Sequence, residues 1–400
     1  MKQRYQFRIY PTPGQQTALA KLFGCCRVVW NDALSLCKRS EKLNSNSDLQ
    51  KICITQAKKT ESRQWLSEVS NIPLQQSIQD LGVAFKNFFE SLHGKRQGIK
   101  VNPPRFKKRS NRQTARFRKG GFSIKAAKVY LAKIGCLKTK WSRPLPSEPS
   151  SVTVIKDRAG RYFLSFVVET EPDVKPAPNP AIGIDLGIKN FAALSNGETV
   201  SSPDYSRLDR KIRRLQRKLS RRQTGSNRRE QMRLRIAKLK ARIRDIRKDF
   251  LHKLSTQVIH ENQVIALEDL NVSGMLKNRK LSRAISLAGW REFRTMCEAK
   301  SNKFGREFVV INRWEPTSQI CSECGYRWGK LDLKVRELVC FNCGTHHDRD
   351  TNASKNIEQV GVGHTHDSKR AGRKCKTEVS AVSDELSTQR EYEPLKLFDW

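Results

Sequence analysis

Acidic residues are scarce in this sequence of 400 residues, and their scarcity limits what the chain can bind. There are 39 Asp and Glu against 78 Lys and Arg, a formal net charge of +39 at pH 7. Such an excess of one sign strains a compact fold unless an anionic partner neutralises it. Nucleic acid is the partner that this charge favours, because each neutralised phosphate releases a counterion. A ribosomal-type basic protein and an anionic membrane surface are the alternatives on charge alone.

Long apolar runs are also missing from the chain. No run approaches the roughly 20 residues that a membrane-spanning helix needs. The opening segment, MKQRYQFRIYP, alternates as a strand does and lacks the apolar centre of a signal peptide. The sequence therefore predicts a soluble intracellular protein that does not associate with a membrane, in a compartment where thiols stay reduced.

The eleven cysteines do not form a disulfide framework. Four of them form two regular pairs, described below. The other seven are scattered along the chain: Cys25, Cys26, Cys37, Cys53, Cys136, Cys297 and Cys375.

A proline-rich segment divides the chain into two parts. Residues 1–170 combine strand-like alternation, helical patterns from about 14 to 95, and a hairpin that turns at residues 157–160. This pattern predicts a strand-rich basic platform with a helical insertion. The segment EPDVKPAPNP, residues 171–180, has four prolines in ten positions. It cannot continue a helix or a central strand, so we predict an interdomain linker.

Residues 207–250 carry 19 Lys and Arg against four Asp and Glu. Apolar residues recur there at steps of three and four on both sides of the turn-like RRQTGSNRR, which predicts an antiparallel helical hairpin. The charge is too lopsided for self-paired salt bridges, so a phosphate-facing arm is preferred over a solvated coiled-coil arm. The segment ISLAGWREFRTMCEAKSNKFG predicts one helix that ends at Gly305. After Gly361 the sequence is polar without periodicity, and we predict a disordered tail over residues 365–400.

The paired cysteines have the spacing of a metal site. Cys321 and Cys324 form one C-x-x-C pair, and Cys340 and Cys343 form the second pair after an interval of fifteen residues. This spacing predicts a zinc ribbon in which four thiolates hold Zn²⁺ tetrahedrally. A site closed by four thiolates is structural. His346 and His347 are therefore interpreted as ordinary loop histidines.

Three acids in separate segments are candidates for a second metal site. Asp185 lies in the apolar strand AIGIDLGIKN, where burial is costly without a positive partner, and Lys189 is one possible partner. Glu268 and Asp269 end the apolar strand QVIALEDL. Side chains alternate along a strand, so only one of these two acids can share a face with Asp185. Asp350 begins the last predicted helix, where it could equally be an N-cap.

The order of the elements favours the metal site. A strand with an Asp, further strands, helices, a strand with a Glu, and a final helix with an Asp follow the ribonuclease H-like layout. In that layout three carboxylates converge at one end of the sheet. Such a cluster needs divalent cations, and two Mg²⁺ ions suit hard oxygen ligands and phosphodiester hydrolysis.

The chain resembles the TnpB family, which comprises transposon-encoded, RNA-guided nucleases of the OrfB type that are relatives of type V CRISPR effectors. Five segments carry the resemblance: GIDLGIKNFAAL, ALEDL, WEPTSQICSECG, CFNCGTHHDRDTNASKNI and the basic PPRFKKR. It extends to about residue 360 and is most specific between Pro316 and Ile357.

The resemblance implies an α/β multidomain fold. It implies a wedge-like β-barrel over residues 1–170 with a helical recognition insertion, and a RuvC (ribonuclease H-like) nuclease domain over 181–315 and 345–362. The zinc ribbon would occupy residues 316–344. It also implies Asp185, Glu268 and Asp350 as catalytic Mg²⁺ ligands, and leaves Asp348 as a turn or cap residue.

The resemblance further implies a guide RNA from the transposon end, target DNA next to a short motif, and a cytoplasmic, nucleoid-associated location in a prokaryotic cell. We expect one protein per guide RNA, with a dimer left open. Candidate nucleic-acid contacts are Gln75, Arg105, Lys107, Lys108, Lys189 and Arg349. A nuclease-inactive DNA-binding repressor and a strand-transfer transposase are the alternative functions.

Overall fold

The computed structural model describes residues 1–40, 43–96, 98, 100–125, 127–332 and 335–363. The chain divides into two compact units, of which one is Met1–Thr170 and the other begins at Glu171. The division falls where the predicted linker begins, and the predicted tail lies outside the described residues. Within those residues no helix combines the length and the apolar character that crossing a membrane requires.

The first unit joins a helical segment to antiparallel sheets around one apolar core. Its long first helix begins with a capping box, in which Thr12 and Gln15 each satisfy a backbone N–H of the other, followed by Pro13 in the first turn. The helices are α1 (Pro13–Arg39), α2 (Asn46–Gln50) and α3 (Asn71–Leu92), with a π-helical turn at Lys51–Gln56 and 3₁₀ turns at Ala57–Lys59 and Gln64–Glu68.

The strands of the first unit are β1 (Lys2–Ile9), β2 (Gln113–Arg118), β3 (Phe122–Lys125), β4 (Lys128–Leu131), β5 (Gly135–Leu137), β6 (Thr139–Lys140), β7 (Ser151–Lys156) and β8 (Tyr162–Glu169). They form one sheet in the order β2-β7-β8-β1-β6 and a second in the order β3-β4-β5, with antiparallel pairing throughout. Over the described ranges β2 does not pair with β6, so these strands form open sheets and the predicted barrel is not closed.

The predicted hairpin at residues 157–160 is confirmed. Strands β7 and β8 pair from Lys156 and Tyr162 outward. A carboxylate oxygen of Asp157 accepts hydrogen bonds from the backbone N–H groups of Ala159 and Arg161, each at 2.9 Å. This Asx turn fixes the register of the hairpin.

The second unit is built around a mixed five-stranded sheet with helices packed against it. Its strands are β9 (Asn179–Leu186), β10 (Ala192–Leu194), β11 (Thr199–Val200), β12 (Asn262–Glu268), β13 (Glu307–Ile311), β14 (Glu337–Val339) and β15 (His346–Asp348). Its helices are α4 (Ser206–Ser220), α5 (Asn227–Glu261), α6 (Val272–Met275), α7 (Ser282–Ala288), α8 (Trp290–Phe304) and α9 (Arg349–Gly361).

The five-stranded sheet has the order β11-β10-β9-β12-β13, and a separate pair joins β14 to β15. Strand β12 runs parallel to both β9 and β13, whereas β10 runs antiparallel to its neighbours. The elements follow in the order that the sequence predicts. Strand β9 begins at Asn179, inside the segment predicted to be a linker.

Helices α4 and α5 bear the basic segment and pack through an apolar stripe. Leu215 and Ile212 of α4 meet Ile236 and Ile243 of α5 in a small cluster of their own. The predicted helical hairpin is therefore confirmed in its packing. Helix α5 is longer than predicted and ends at Glu261, because its last turns bury Leu251, Leu254, Val258 and Ile259 in the core of the second unit.

The prediction of a single helix before Gly305 is wrong in one respect. The segment forms two helices, α7 and α8, which are separated by Gly289. The backbone φ angle of Gly289 is 76°. A left-handed residue cannot continue a right-handed helix, and glycine adopts this conformation without steric cost. Gly305, with a φ of 65°, ends α8 as predicted.

Helix α9 lies directly on the sheet because two glycines leave room for it. A Cβ atom on Gly183 of β9 would lie 2.0 Å from the carbonyl oxygen of Ser354, and one on Gly361 would lie 2.4 Å from Cβ of Ala266. Ile357, which is fully buried, packs there with Ile311 and Ala266. This close approach positions the N-terminus of α9.

Candidate active site

Asp185 and Glu268 lie at the carboxyl ends of two neighbouring parallel strands, Asp185 as the penultimate residue of β9 and Glu268 as the last residue of β12. Leu267 of β12 pairs with Ile184 of β9, so the next residue on each strand is one of these two acids. The carboxyl ends of parallel strands meet at the same edge of a sheet. Asp350 lies in the first turn of α9, which packs across β9 and β12.

The electrostatics of Asp185 link the three acids. Burial, followed by the negative charges of Asp350 and Glu268, raises the pKa of Asp185 to about 7, and the charge of Arg349 opposes that rise. Burial also raises the pKa of Glu268, with a contribution from Asp269. Buried carboxylates that repel one another favour a bound cation or a bound proton.

The main positive charge that acts on Asp185 is that of Arg349 and not that of Lys189, the partner that the sequence suggests. Lys189 is exposed, whereas the positive charge of Arg349 is one of the main influences on the pKa of Asp185 and lowers it. Over the described ranges neither Asp185 nor Glu268 forms an ion pair with a Lys or Arg side chain. The interpretation of Lys189 as the structural partner of Asp185 is therefore wrong.

Asp348 and Asp350 have different surroundings. Asp348 is the N-cap of α9, because its Oδ1 accepts a hydrogen bond of 2.8 Å from the N–H of Thr351. The predicted cap role of Asp348 is confirmed, and the interpretation of Asp350 as the N-cap is wrong. Both carboxylate oxygens of Asp350 lie 3.3 Å from Nη1 of Arg336, a partner that the sequence does not reveal.

Arg349 is held by the segment that connects the two cysteine pairs. Its Nη1 donates to the carbonyl oxygen of Asp332 at 2.8 Å, and its backbone N–H donates to the carbonyl oxygen of Arg336 at 2.7 Å. The guanidinium is half-buried and still reaches Asp185 electrostatically. A contact from Arg349 to a scissile phosphate stays a prediction.

Two buried asparagines anchor α9 to the first cysteine pair. Asn352 accepts from the N–H of Ser322 at 2.9 Å and donates to the carbonyl of Ile320 at 2.7 Å. Asn356 donates to the same carbonyl at 2.8 Å and to that of Thr317 at 2.7 Å. The sequence analysis missed these positioning residues. Their signal is two amides four residues apart, each followed by an apolar residue of the buried helix face, Ala353 and Ile357.

Asp269 has its own partners although it follows Glu268 directly. Its carboxylate forms ion pairs with Arg294 of α8, at 2.7 Å, and with Arg313 after β13. Hydrogen bonds from both guanidinium groups hold the pKa of Asp269 below its usual range. Asp269 therefore ties three elements together at the end of the sheet that bears Glu268.

The four paired cysteines come together as a compact cluster. The sulfurs of Cys321, Cys324, Cys340 and Cys343 all lie within 4.8 Å of one another. The Cys321–Cys343 and Cys324–Cys340 separations are 3.7 Å and 3.6 Å. Tetrahedral Zn²⁺ with bonds of about 2.3 Å would separate its sulfurs by about 3.8 Å. The donor set therefore fits a zinc ion.

His347 is not an ordinary loop residue, so that interpretation is wrong. It lies buried in β15, and its Nε2 is 3.1 Å from the sulfur of Cys321. An imidazole next to a metal-binding thiolate orients that ligand. His346 is exposed on the same strand.

The predicted nucleic-acid contacts are spread over both units. Gln75, Arg105, Lys108 and Lys189 are exposed. Lys107 instead packs against Trp30 in the first unit, with its Nζ 3.6 Å from the centre of the indole ring. Burial lowers the pKa of Lys107. For Lys107 the structure gives a packing role.

Three family models match the chain. The model described as "Probable transposase" matches residues 165–279, and "Cas12f1-like, TNB domain" matches residues 290–357. A model described as "Helix-turn-helix domain" matches residues 1–44, which contain β1 and α1 in this structure. The first two models cover the strands that carry Asp185 and Glu268, and the cysteine cluster with the start of α9.

Full-length relatives resemble the chain over most of their length. A "Putative RNA-guided DNA endonuclease" of Streptomyces pristinaespiralis is 43% identical over 98% of this chain and 93% of its own. The Escherichia coli protein "Putative RNA-guided DNA endonuclease InsQ" is 30% identical over 90% of this chain and 92% of its own. The "TnpB-like protein L79" of Acanthamoeba polyphaga mimivirus is 27% identical over 89% of this chain and 73% of its own.

A solved structure shares the fold. The chain in the cryo-EM structure of a Cas12f1-sgRNA-target DNA complex superposes with a TM-score of 0.52 at 14% identity. The match covers 89% of this chain and 98% of that chain.

Proposed function

Because the chain belongs to the TnpB family of OrfB-type proteins, we propose that it is an RNA-guided DNA endonuclease whose RuvC-type site hydrolyses phosphodiester bonds. The observation that carries this proposal is the register of β9 with β12, which places Asp185 and Glu268 side by side at the carboxyl ends of the two strands. The second support is that burial, followed by the charges of Asp350 and Glu268, raises the pKa of Asp185.

The chemistry of the donors fits magnesium. Carboxylate oxygens are the ligands that Mg²⁺ prefers, and Asp185, Glu268 and Asp350 would hold it. When bound, a pair of such ions supplies an activated water on one side of the phosphodiester and charge stabilisation on the other. Arg349 would contribute positive charge at the phosphate, since its guanidinium already acts on Asp185.

The cysteine cluster would hold a structural zinc ion. Four thiolates close the coordination sphere, so this ion would stabilise the segment between Pro316 and Gly344 and take no part in hydrolysis. Hydrogen bonds from Thr345 already lower the pKa of Cys343 to about 6, which favours a thiolate. In the proposed division, residues 316–344 form a zinc ribbon inserted in the nuclease domain.

Target choice would combine base pairing by a guide RNA with protein recognition of a short adjacent motif. The guide would come from the transposon end, and one protein would bind each RNA. The first unit would form the wedge-like domain, with its helices as the recognition insertion. Gln75 is exposed on α3 and is available to contact the motif.

Neighbouring aspartates allow a matched test of the active site. We expect Asp350→Ala to abolish cleavage of a guide-matched target while the affinities for RNA and DNA stay within about twofold. Asp348→Ala should keep cleavage, since it removes only a helix cap, at a cost of about 1 kcal/mol in unfolding free energy. Gel analysis of product formation and anisotropy binding assays give the two readouts.

Cleavage retained by Asp350→Ala would reject the catalytic assignment. An absence of cleavage by the unaltered protein, with guided target binding at every Mg²⁺ concentration, would indicate a repressor instead. Strand joining without RNA would indicate a transposase. The names of the full-length relatives do not favour these alternatives.

A further inference from the structure

Trp314 is an exposed aromatic residue at the edge of the sheet that bears Glu268. Its side chain is 83% exposed, although tryptophan is the largest apolar side chain. It follows β13, whose last residue, Ile311, pairs with Glu268. Nothing in the proposed hydrolysis uses this residue.

The segment that carries Trp314 is held by specific hydrogen bonds. The side-chain oxygen of Asn312 accepts from the N–H of Trp314 at 3.1 Å, and the carbonyl oxygen of Asn312 accepts from the N–H of Glu315 at 3.1 Å. This Asx turn fixes the backbone on both sides of the ring. The indole is therefore presented to solvent by an ordered turn.

The turn is also fastened to the strand end that bears Glu268. Arg313, next to Trp314, forms an ion pair with Asp269, and the N–H of Asp269 donates to the carbonyl of Ile311 at 3.2 Å. Trp314 is three residues beyond Ile311, so their Cα atoms are at most about 11 Å apart. Adding one strand spacing of about 5 Å places the Cα of Trp314 within about 16 Å of that of Glu268.

The surroundings of Trp314 suit a polyanion. Arg294 and Arg313 share the single carboxylate of Asp269, and both guanidinium groups are 40% exposed. A flat aromatic face next to exposed guanidinium groups is the combination that binds single-stranded nucleic acid through base stacking and phosphate contacts. A partner protein with an apolar surface would gain nothing from the positive charges of Arg294 and Arg313.

We propose that Trp314 is a base-stacking platform that holds an unpaired nucleotide of the target strand near the scissile phosphate. A strand with 3.4 Å per nucleotide covers the limit of 16 Å in about five nucleotides. We therefore expect the stacked base to lie on the order of five nucleotides from the bond that is cut. This inference rests on the proposed nuclease function, because it takes the target strand as its ligand.

The first experiment measures stacking without cleavage. The Asp350→Ala protein, with its co-purified RNA, binds target DNA that carries the fluorescent base 2-aminopurine at successive positions around the cut site. We expect quenching at one or two adjacent positions, its loss with Trp314→Ala and its return with Trp314→Phe. Equal quenching in the Trp314→Ala protein at every position would overturn the proposal, as would the absence of quenching at all positions.

The second experiment asks whether stacking serves the reaction. With DNA below saturation, Trp314→Ala should slow cleavage by about 5- to 100-fold, the usual effect of removing one aromatic–base stack. An abasic nucleotide at the quenched position should slow the unaltered protein by a similar factor and leave Trp314→Ala unchanged. Equal cleavage rates for Trp314→Ala and the unaltered protein, or abasic effects of equal size in both, contradict the proposal.

A matched control separates stacking from a general loss of aromatic surface. Tyr130 is another exposed aromatic residue, 45% exposed on β4 of the first unit, and Tyr130→Ala should leave quenching and cleavage unchanged. If the unaltered protein cuts no target at all, the nuclease function fails. The quenching experiment still decides whether Trp314 stacks on a base.

Discussion

Asp185 is a half-buried carboxylate whose charge is costly to the folded protein. It is the penultimate residue of β9 and follows three buried residues, and burial together with the charges of Asp350 and Glu268 raises its pKa to about 7. Without a bound cation, the ionised carboxylate of Asp185 lowers the free energy of unfolding of the protein. The strand would be more stable with a neutral side chain of the same shape, and this loss of stability is what a carboxylate in the proposed role of Mg²⁺ ligand would cost.

The pH dependence of Asp185 gives a direct test at this scale. Its folded pKa is raised, so the folded state binds more protons than the unfolded state between pH 4 and pH 7, and stability falls as pH rises through that interval. Without added magnesium, Asp185→Asn should therefore stabilise the protein at pH 8, by at most about 4 kcal/mol, and have little effect near pH 4. Thermal unfolding of both proteins across this range measures the difference.

Added magnesium supplies the control for this comparison. A bound cation should stabilise the unaltered protein and not Asp185→Asn, so the advantage of the variant at pH 8 should shrink or reverse. If Asp185→Asn were more stable than the unaltered protein by the same amount at every pH, the ionised carboxylate of Asp185 would not be the source of the lost stability.

The sequence reveals some residues of the candidate site and not others. An Asp in an apolar strand and an Asp before a helix are visible from patterns, and the cap role of Asp348 follows from its position. The ion pair between Arg336 and Asp350 is not visible, because it depends on the path of the segment between the cysteine pairs. The same holds for the contact of His347 with Cys321.

At the scale of elements, the site depends on how closely α9 approaches the sheet. Gly183→Ala would place a Cβ atom 2.0 Å from the carbonyl oxygen of Ser354 and 2.5 Å from the backbone nitrogen of Glu358. Neither atom can move without displacing the helix. We expect a loss of more than about 3 kcal/mol in unfolding free energy and a cleavage rate at least tenfold lower.

Gly24 provides the matched control for this substitution. It lies in the middle of α1, and a Cβ atom there meets nothing within 4 Å. Gly24→Ala should stabilise the protein by about 0.5–1 kcal/mol and leave cleavage unchanged. Denaturant unfolding and cleavage assays of both variants test the prediction. Equal stabilities for the two variants would contradict the close packing.

The cysteine cluster and α9 should behave as one element. The asparagines of α9 bond to backbone groups next to Cys321, so a disordered cluster would release the helix that carries Asp350. We expect Cys340→Ser to lose about one equivalent of zinc and most of the cleavage activity. Cys136→Ser, at an exposed cysteine of the first unit, should lose neither. Zinc content and activity are measured on the same preparations.

Elements were predictable where a period or a turn residue marks them. The hairpin at residues 157–160 and the end of α8 at Gly305 follow from turn chemistry. The length of α5 does not, because its last turns are stabilised by packing against the sheet and not by a pattern of their own. The break at Gly289 was missed because a single glycine inside a helical pattern is often tolerated.

At the scale of the whole molecule, the charge of +39 is the dominant property. The arm formed by α4 and α5 carries a large share of it, and its apolar stripe is already used to join the two helices. Its cations therefore face away from that contact. Arg210, Arg213 and Arg217 are exposed and form no ion pair among the residues with described positions.

The salt dependence of nucleic-acid binding tests the role of this arm. Each phosphate contact adds about 0.9 to the slope of log affinity against log salt concentration. Replacing Arg210, Arg213 and Arg217 by Gln should lower the slope by about 2 to 3 if all three contact phosphates. Lys2, Lys86 and Lys119 already face a carboxylate, so replacing them by Gln should change the slope by less than 1. Equal slopes for the two triple variants would show that the arm is a solvated surface and not a binding surface.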